Sequence, residues 1–518
     1  MSRTFALTSV LGWTLLLSLA GWPAATLAQD PATPEAAAAP EAAPPAAETP
    51  ATPDAAALVV APALAATAAG SAPYLAGTYD TGSIAWLMTS AALVFFMMPG
   101  LALFYGGMVR AKNVLNMFMC VMVCIPIVAI QWVCFGYSLA FAVPSAIAVD
   151  AGKNDDGSDK PDLSYLGWDP ELVGFQAFGE LAPDNVNFYG RIVTSGDTTG
   201  AAPTGVPELL FAMFQMMFAI ITPALIVGAL AERVKFSAWC VFVALWATIV
   251  YDPVCHWVWN VNGWMFQAGM YDFAGGTVVH VLAGVSALAL ILILPKRRGY
   301  PTGPFLPHSI GWTLMGAGLL MVGWFGFNAG SAIAVGKDFL PVSAAVAVLA
   351  FATTAIAGSA AAGSWMVAEW LYVGKPTALG LGSGIVAGLV AITPCSGHVS
   401  PSGALIIGLL GGVVCFLGVQ MKQVFKYDDS LDVVGVHGVG GALGAILVGY
   451  FAIRPVAGNF DQVILQIKGV AVTGIYAFVC TLVLGLIIHY TIGFTVDEKT
   501  EEEGLDVKDH GEVAYRFN

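Results

Sequence analysis

The sequence predicts an all-α polytopic membrane protein: eleven transmembrane helices, arranged as two inverted five-helix repeats plus a last helix. Three observations carry that prediction. The first is composition. Of 518 residues, 58% are hydrophobic and 10% are charged, with a mean hydropathy of +0.77. A soluble chain carries about 25% charged residues, so this one has too few to cover a water-facing surface, and lipid must be part of its solvent. The second is a series of apolar runs of membrane length, and the third is the placement of basic residues in alternate connections.

Residues 1–28 read as a signal peptide: Arg3 gives a positive start, Leu11–Ala20 an apolar core and Thr26-Leu27-Ala28 a small-residue cleavage site. Residues 29–75 form an Ala/Pro/Glu-rich leader with almost no large apolar side chains, a composition that stays disordered. Residues 76–496 form the transmembrane domain and 497–518 a cytoplasmic tail.

Within the domain, apolar spans run over 82–105, 115–142, 206–230, 236–254, 275–295, 309–332, 341–368, 377–393, 401–420, 433–452 and 467–494. Each has the roughly 20 residues a helix needs to cross the hydrocarbon core. Gly380, Gly384 and Gly388 recur at four-residue spacing, as do Gly440 and Gly444, so small faces are available for backbone-to-backbone helix packing. Arg110, Lys112, Arg233, Lys235, Lys296, Arg297, Arg298, Lys375, Lys422 and Lys426 all fall in alternate connections. This puts the N-terminus outside and the C-terminus in the cytoplasm of an inner (plasma) membrane. No Lys or Arg needs to sit at the membrane centre, which argues against a voltage sensor or a carrier of bulky anions. The net charge of −14 comes mainly from the acidic stretch 150–197 and the tail, not from a nucleic-acid or substrate surface. The eight cysteines show no CxxC pairing and read as small apolar residues. A Cys255–Cys395 disulfide is compatible with their positions but has no further support.

Seven histidines are present. His256, His308, His398 and His510 fall in loops, span ends or the tail and read as solvated, while His489 reads as snorkelling at the end of the last span. His280 and His437 lie inside spans, in the glycine-rich stretches Gly275-Gly276-Thr277-Val278-Val279-His280 and Gly435-Val436-His437-Gly438. For either one alone, a packing role and a functional role weigh equally. Their positions in the fifth and tenth spans tip the balance. Five is odd, so a second five-helix half runs opposite to the first, and the two histidines then meet near the midplane. A metal site needs three or four ligands, and no Cys, Asp or Glu stands beside either histidine.

The stretch Asp272-Phe273-Ala274-Gly275-Gly276-Thr277-Val278-Val279-His280 resembles the hallmark of the ammonium transporter (Amt) family, of bacterial type. So do Pro99-Gly100-Leu101-Ala102-Leu103-Phe104-Tyr105-Gly106-Gly107, Gly228-Ala229-Leu230-Ala231-Glu232-Arg233, Gly323-Trp324-Phe325-Gly326-Phe327-Asn328-Ala329-Gly330-Ser331 and Gly435-Val436-His437-Gly438. The resemblance implies a transporter, not an enzyme, with no cofactor. His280 and His437 would be its pore pair, and Phe218 and Phe327 the stacked phenylalanines closing the outer pore. Trp259, Phe214 and Ser331 would recruit ammonium by cation–π attraction and a hydroxyl acceptor, worth about 0.5–2 kcal/mol per ring. Trp257 and Trp264 keep the reading of an interfacial aromatic belt. Asp272 either caps the fifth span or tunes the field near the recruitment site, and Asp432 invites the same capping reading for the tenth. Two departures from the family are the long acidic segment 143–205 and Leu282 where a small or polar residue is usual.

The resemblance further implies a homotrimer in membrane lipid. The tail, with Gly504-Leu505-Asp506 and His510-Gly511-Glu512, would dock to the bundle and to a PII-type signalling protein. Two functional alternatives remain at this stage, an ammonium sensor and a Rhesus-type channel for ammonia or carbon dioxide. A membrane protease lacks the required serine or paired-aspartate patterns.

Overall fold

The computed structural model describes residues 78–79, 81–142, 145–149, 163–178, 192–193, 204–332, 344–454 and 457–516. The expected signal peptide and leader, and most of the acidic segment after residue 149, lie outside the described residues. Among the described residues, ten helices are long and apolar enough to cross a membrane: α1 (Thr81–Met108), α2 (Ala111–Phe141), α3 (Glu208–Leu230), α4 (Phe236–Trp259), α5 (Gly276–Ile293), α6 (Ile310–Gly330), α7 (Ala344–Val373), α9 (Pro401–Phe425), α10 (Val434–Phe451) and α11 (Phe460–Thr491). The eleventh apolar element is the shorter α8 (Ala378–Ile392), followed by an irregular stretch before α9 begins.

Helix starts follow from side-chain caps. Ser309, Thr377, Ser400 and Asn459 accept backbone N–H groups at the starts of α6, α8, α9 and α11. The Asn459 cap begins α11 seven residues before the expected start at 467. Its polar first turns are accommodated because Gln466 is buried and bonds both backbone groups of Tyr271. Similarly, α4 continues past the expected end at 254 to Trp259, because Asp252 and His256 are buried and bonded within the bundle.

Small strands decorate one face. The antiparallel pair β2 (Ser145–Val149) and β3 (Leu163–Gly167) forms a hairpin. A second sheet has order β1 (Thr78–Tyr79), β5 (Thr204–Pro207), β4 (Ile192–Val193). The opposite face carries two short tail helices, α12 (Glu498–Glu503) and α13 (Leu505–His510). α1 runs from the hairpin face to the tail face. α6 starts beside the tail, where His308 meets the Tyr515 hydroxyl at 3.0 Å, and runs back. The two pack backbone to backbone: a Cβ on Gly316 would lie 2.3 Å from the Phe104 amide nitrogen. α5 and α10 are antiparallel in the same way, as the inverted halves require.

Candidate functional site

α5 and α10 each begin in a π-helical segment, Gly276–Val281 and Val434–Gly438, and each segment carries a histidine. π segments recur at functional positions because they re-aim one side chain within a helix. At the start of α5, the Asp272 carboxylate accepts N–H bonds from Gly275 (2.8 Å), Gly276 (2.5 Å), Thr277 (2.8 Å) and Val278 (3.2 Å), and a bond from the Thr277 hydroxyl. Gly275 sits at φ 119°, which a side chain would strain. At the start of α10, the cap is Asp429, which accepts N–H bonds from Val433 (3.1 Å) and Val434 (2.8 Å). Asp432, the residue the sequence suggested for that role, turns away at φ 65° and pairs with Lys422. A carboxylate three residues further upstream reaches the free amides, and Asp432 lies too far into the turn to do so.

The two helices touch where Gly284 faces Gly438. A Cβ on Gly284 would come within 2.1 Å of the Gly438 nitrogen, so the crossing needs glycine. This contact brings His280 and His437 together with Nδ1 to Nδ1 at 3.2 Å and ring centroids 5.3 Å apart. Both are buried, at 1% and 4% exposure. Two facing Nδ1 atoms at that distance cannot both carry hydrogen, nor both present lone pairs. One donates and the other accepts, so the rings take opposite tautomers and share one proton between them.

The pair faces a narrow cavity lined by apolar side chains, among them Leu101, Ile221, Val279 and Leu320, with Trp324 and Phe327. Its free volume is about 10 Å³, room for about one molecule the size of water. Trp324 lies over His280 at 5.5 Å and 22°, its indole N–H held by the Thr393 hydroxyl at 2.8 Å. His280 Nε2 is buried without a hydrogen-bond partner, the one polar atom of that ring left for an occupant.

Towards the hairpin face the cavity is closed. Phe218 and Phe327 meet at 4.3 Å between centroids, tilted by 42° rather than flat on each other. Phe214 packs edge-on to Phe218 at 5.0 Å, and Trp259 does so at 5.6 Å and 89°. Trp259 donates its indole N–H to the Asp272 carbonyl at 2.9 Å, which fixes the ring and ties the aromatic group to the α5 cap. Ser331 donates its hydroxyl to the Phe327 carbonyl at 2.8 Å, so its oxygen keeps acceptor capacity. Phe214, Trp259 and Ser331 are all buried. The residues named from the sequence therefore lie along one line from Trp259 to His437, with α3, α4, α5, α6 and α10 each contributing.

Several sequence readings change. His256 is not solvated: it is fully buried, with Nδ1 on the Ala140 carbonyl and Nε2 on the Ser164 hydroxyl, pinning the hairpin to α4. His398 stacks on Tyr271 at 5.0 Å, and burial beside Arg454 holds its imidazole at about 4. Trp257 is no interfacial anchor, because it is buried and donates to the Tyr165 carbonyl at 2.8 Å. All eight cysteines are free, so Cys255 and Cys395 form no disulfide. Among the described residues no group of three or more His, Cys, Asp or Glu is placed to share a metal ion. Trp324 and Asp429 escaped the sequence reading. Trp324 was legible three residues before Phe327 on the same helical face.

On the tail face, Glu232, Arg233, Arg297 and Asp428 form a buried ion-pair cluster joined by Arg110, with Arg297 to Asp428 at 2.8 Å and Arg110 to Glu232 at 2.8 Å. The tail docks beside it. Glu501 accepts the Arg298 amide at 2.8 Å, and Asp506 accepts the Asn116 amide at 2.8 Å near the start of α2.

Comparison with known proteins agrees with this architecture. Residues 85–515 match the Ammonium Transporter Family. The chain is 42% identical over 469 residues to an ammonium transporter of Mycobacterium bovis, covering 85% of this chain and 91% of that one. Among solved structures, it superposes on Mep2 of Saccharomyces cerevisiae with a TM-score of 0.67 at 30% identity, covering 82% of this chain and 89% of that one. It superposes on a structure titled Sensor Amt Protein with a TM-score of 0.68 at 26% identity, covering 83% and 98%.

Proposed function

The chain belongs to the ammonium transporter family, and from that premise we propose that it moves ammonium by carrying neutral ammonia past the His280–His437 pair. It is a multi-pass membrane transporter, not an enzyme. Ammonium is gathered at Trp259, Phe214 and Ser331, where aromatic faces and a hydroxyl acceptor replace part of its water shell. It loses its proton near Phe218 and Phe327, and ammonia passes the histidines into the tail-face side.

The observation that carries this reading is the unpartnered His280 Nε2 in a cavity lined, besides His437 and Tyr105, by apolar side chains. Such a cavity imposes the full desolvation cost on a bare cation but accepts a small neutral molecule with one hydrogen bond. Potassium, which has no proton to lose, is thereby rejected. Either tautomer of His280 serves: Nε2 accepts an N–H of ammonia in one, and donates to its lone pair in the other.

The tail face is the cytoplasmic face of the plasma membrane in this proposal, consistent with Arg110, Lys112, Arg233, Arg297 and Lys422 on that side. The assembly is a homotrimer, and the docked tail is the landing site for a PII-type signalling protein. Uptake of labelled methylammonium into liposomes holding the purified chain tests the transport reading. Uptake abolished by filling the cavity with Leu101→Trp, at unchanged folding, is expected, while uptake that persists would place the path elsewhere. Membrane current on ammonium addition then tells whether the shed proton follows through the histidines or returns to its side of origin.

A further inference from the structure

Four membrane helices contain a π-helical segment among the described residues. Two of these, in α5 and α10, hold the pore histidines. The other two, Trp132–Gly136 in α2 and Ala247–Tyr251 in α4, are flanked by Gln131 and Asp252, which face each other. Asp252 is 0% exposed inside a membrane-spanning helix, where an ionisable group is costly and calls for a function. Its Oδ2 lies 2.6 Å from the terminal amide of Gln131, which also meets the Thr248 hydroxyl at 3.3 Å. Its Oδ1 has no partner. Gly136 makes room for that amide, since a Cβ there would lie 2.6 Å from Gln131 Nε2.

None of the ion pairs among the described residues includes Asp252. The titratable groups beside it on α4 are Tyr251 and Cys255, both buried and neutral in their ordinary forms, while His256 is turned to Ser164 and Ala140. On α2 the facing group is the neutral Gln131. An ionised carboxylate with one neutral donor and one bare oxygen has no compensation for losing its water. The 2.6 Å separation also fits an O–H···O bond, about 2.5–3.0 Å. Amide oxygen and nitrogen are interchangeable by a half-turn, so a neutral acid can donate O–H to the Gln131 oxygen at that distance.

We propose that Asp252, with Gln131, is a proton-binding site at membrane depth between α2 and α4, separate from the histidine pair, and that the carboxyl holds its proton at neutral pH. The proton comes from water when the helices pack and leaves the α2–α4 contact uncharged. The pair then joins two helices that also carry the hairpin, without placing a charge in lipid.

Infrared spectroscopy of the full-length protein in lipid vesicles tests this. The wild type at neutral pH should show the carbonyl stretch of a protonated carboxylic acid, moved by carboxyl-¹³C aspartate labelling and missing in Asp252→Asn. That band should persist at neutral pH, well above the ordinary aspartate value of about 4. A spectrum without a label-sensitive acid band at neutral pH overturns the proposal, and needs no variant to fold. So does a label-sensitive band that is undiminished in folded Asp252→Asn or folded Asp252→Leu, which would assign the proton to another aspartate.

Discussion

Replacing Asp272 by alanine separates two roles that one carboxylate can hold, capping α5 and attracting cations. Its oxygens accept four backbone N–H bonds at the start of α5, all in a buried setting. An N-cap deletion costs about 0.5–2 kcal/mol when water can replace the side chain. Here water has no access, and each orphaned buried donor adds roughly 1 kcal/mol or more. Asp272→Ala should therefore destabilise the protein by about 3–4 kcal/mol. Asp429 caps α10 with two such bonds, so Asp429→Ala should lose about half as much, roughly 2 kcal/mol on the same scale. His280 is tied into the capped turn through its amide, bonded to the Gly275 carbonyl at 3.0 Å. Loss of the cap thus shifts the histidine, and transport falls with stability. The assay is chemical unfolding of purified protein in lipid, beside methylammonium uptake. Asp272→Asn, which keeps an acceptor but no charge, should retain part of both. If Asp272→Ala unfolds at the wild-type midpoint yet carries nothing, the capping argument fails and the charge itself is what matters.

Three further perturbations test other parts of the structure. Phe327→Ala removes a ring that fills the space between Phe218 and His280, and the variant should admit rubidium, measured as tracer flux into liposomes that the wild type excludes. In the tail-face cluster, burial would raise Glu232 and Asp428, but the hydrogen bonds and charges of Arg110, Arg297 and Arg233 outweigh it and hold both below the ordinary carboxylate range. Depressed values stabilise the fold fully above about pH 4 and are lost as pH falls through the folded-state values. Arg297→Gln should accordingly cost about 3 kcal/mol at pH 7, with the gap to wild type constant down to about pH 5 and closing below about pH 4. A gap that closes between pH 7 and 5 would contradict this assignment. Finally, Asp506→Ala removes the acceptor for the Asn116 amide, and limited proteolysis should then cut the tail several-fold faster, with the membrane domain intact.

Much of the molecule was legible in the chain. Apolar length located all eleven elements, because membrane thickness imposes a linear requirement that each segment meets on its own. The errors fell where polar residues lie inside that requirement. α4 looked finished before His256 and Trp257, and α11 looked unstarted before Gln466, since a buried partner is invisible in a hydropathy profile. The cap of α10 was assigned to Asp432 by nearness. Reach and φ decide such a bond, and both favour Asp429. His256 and His398 were read as solvated because they fall in loops or at span ends, whereas their neighbours in space are Ser164, Ala140 and Tyr271.

What the sequence alone determined is the order of the spans, the inversion implied by an odd repeat, and the two histidines at matching positions. These are properties of spacing along the chain, and spacing survives folding. Only the tertiary structure decided that the histidines meet Nδ1 to Nδ1 and that the Phe218 and Phe327 rings meet at a tilt. It also decided that Asp252 finds Gln131 instead of a cation. Each of these rests on a contact of 2.6–4.3 Å between residues far apart in sequence. Such distances are set by helices crossing at glycines such as Gly284 and Gly438, and no local pattern encodes them.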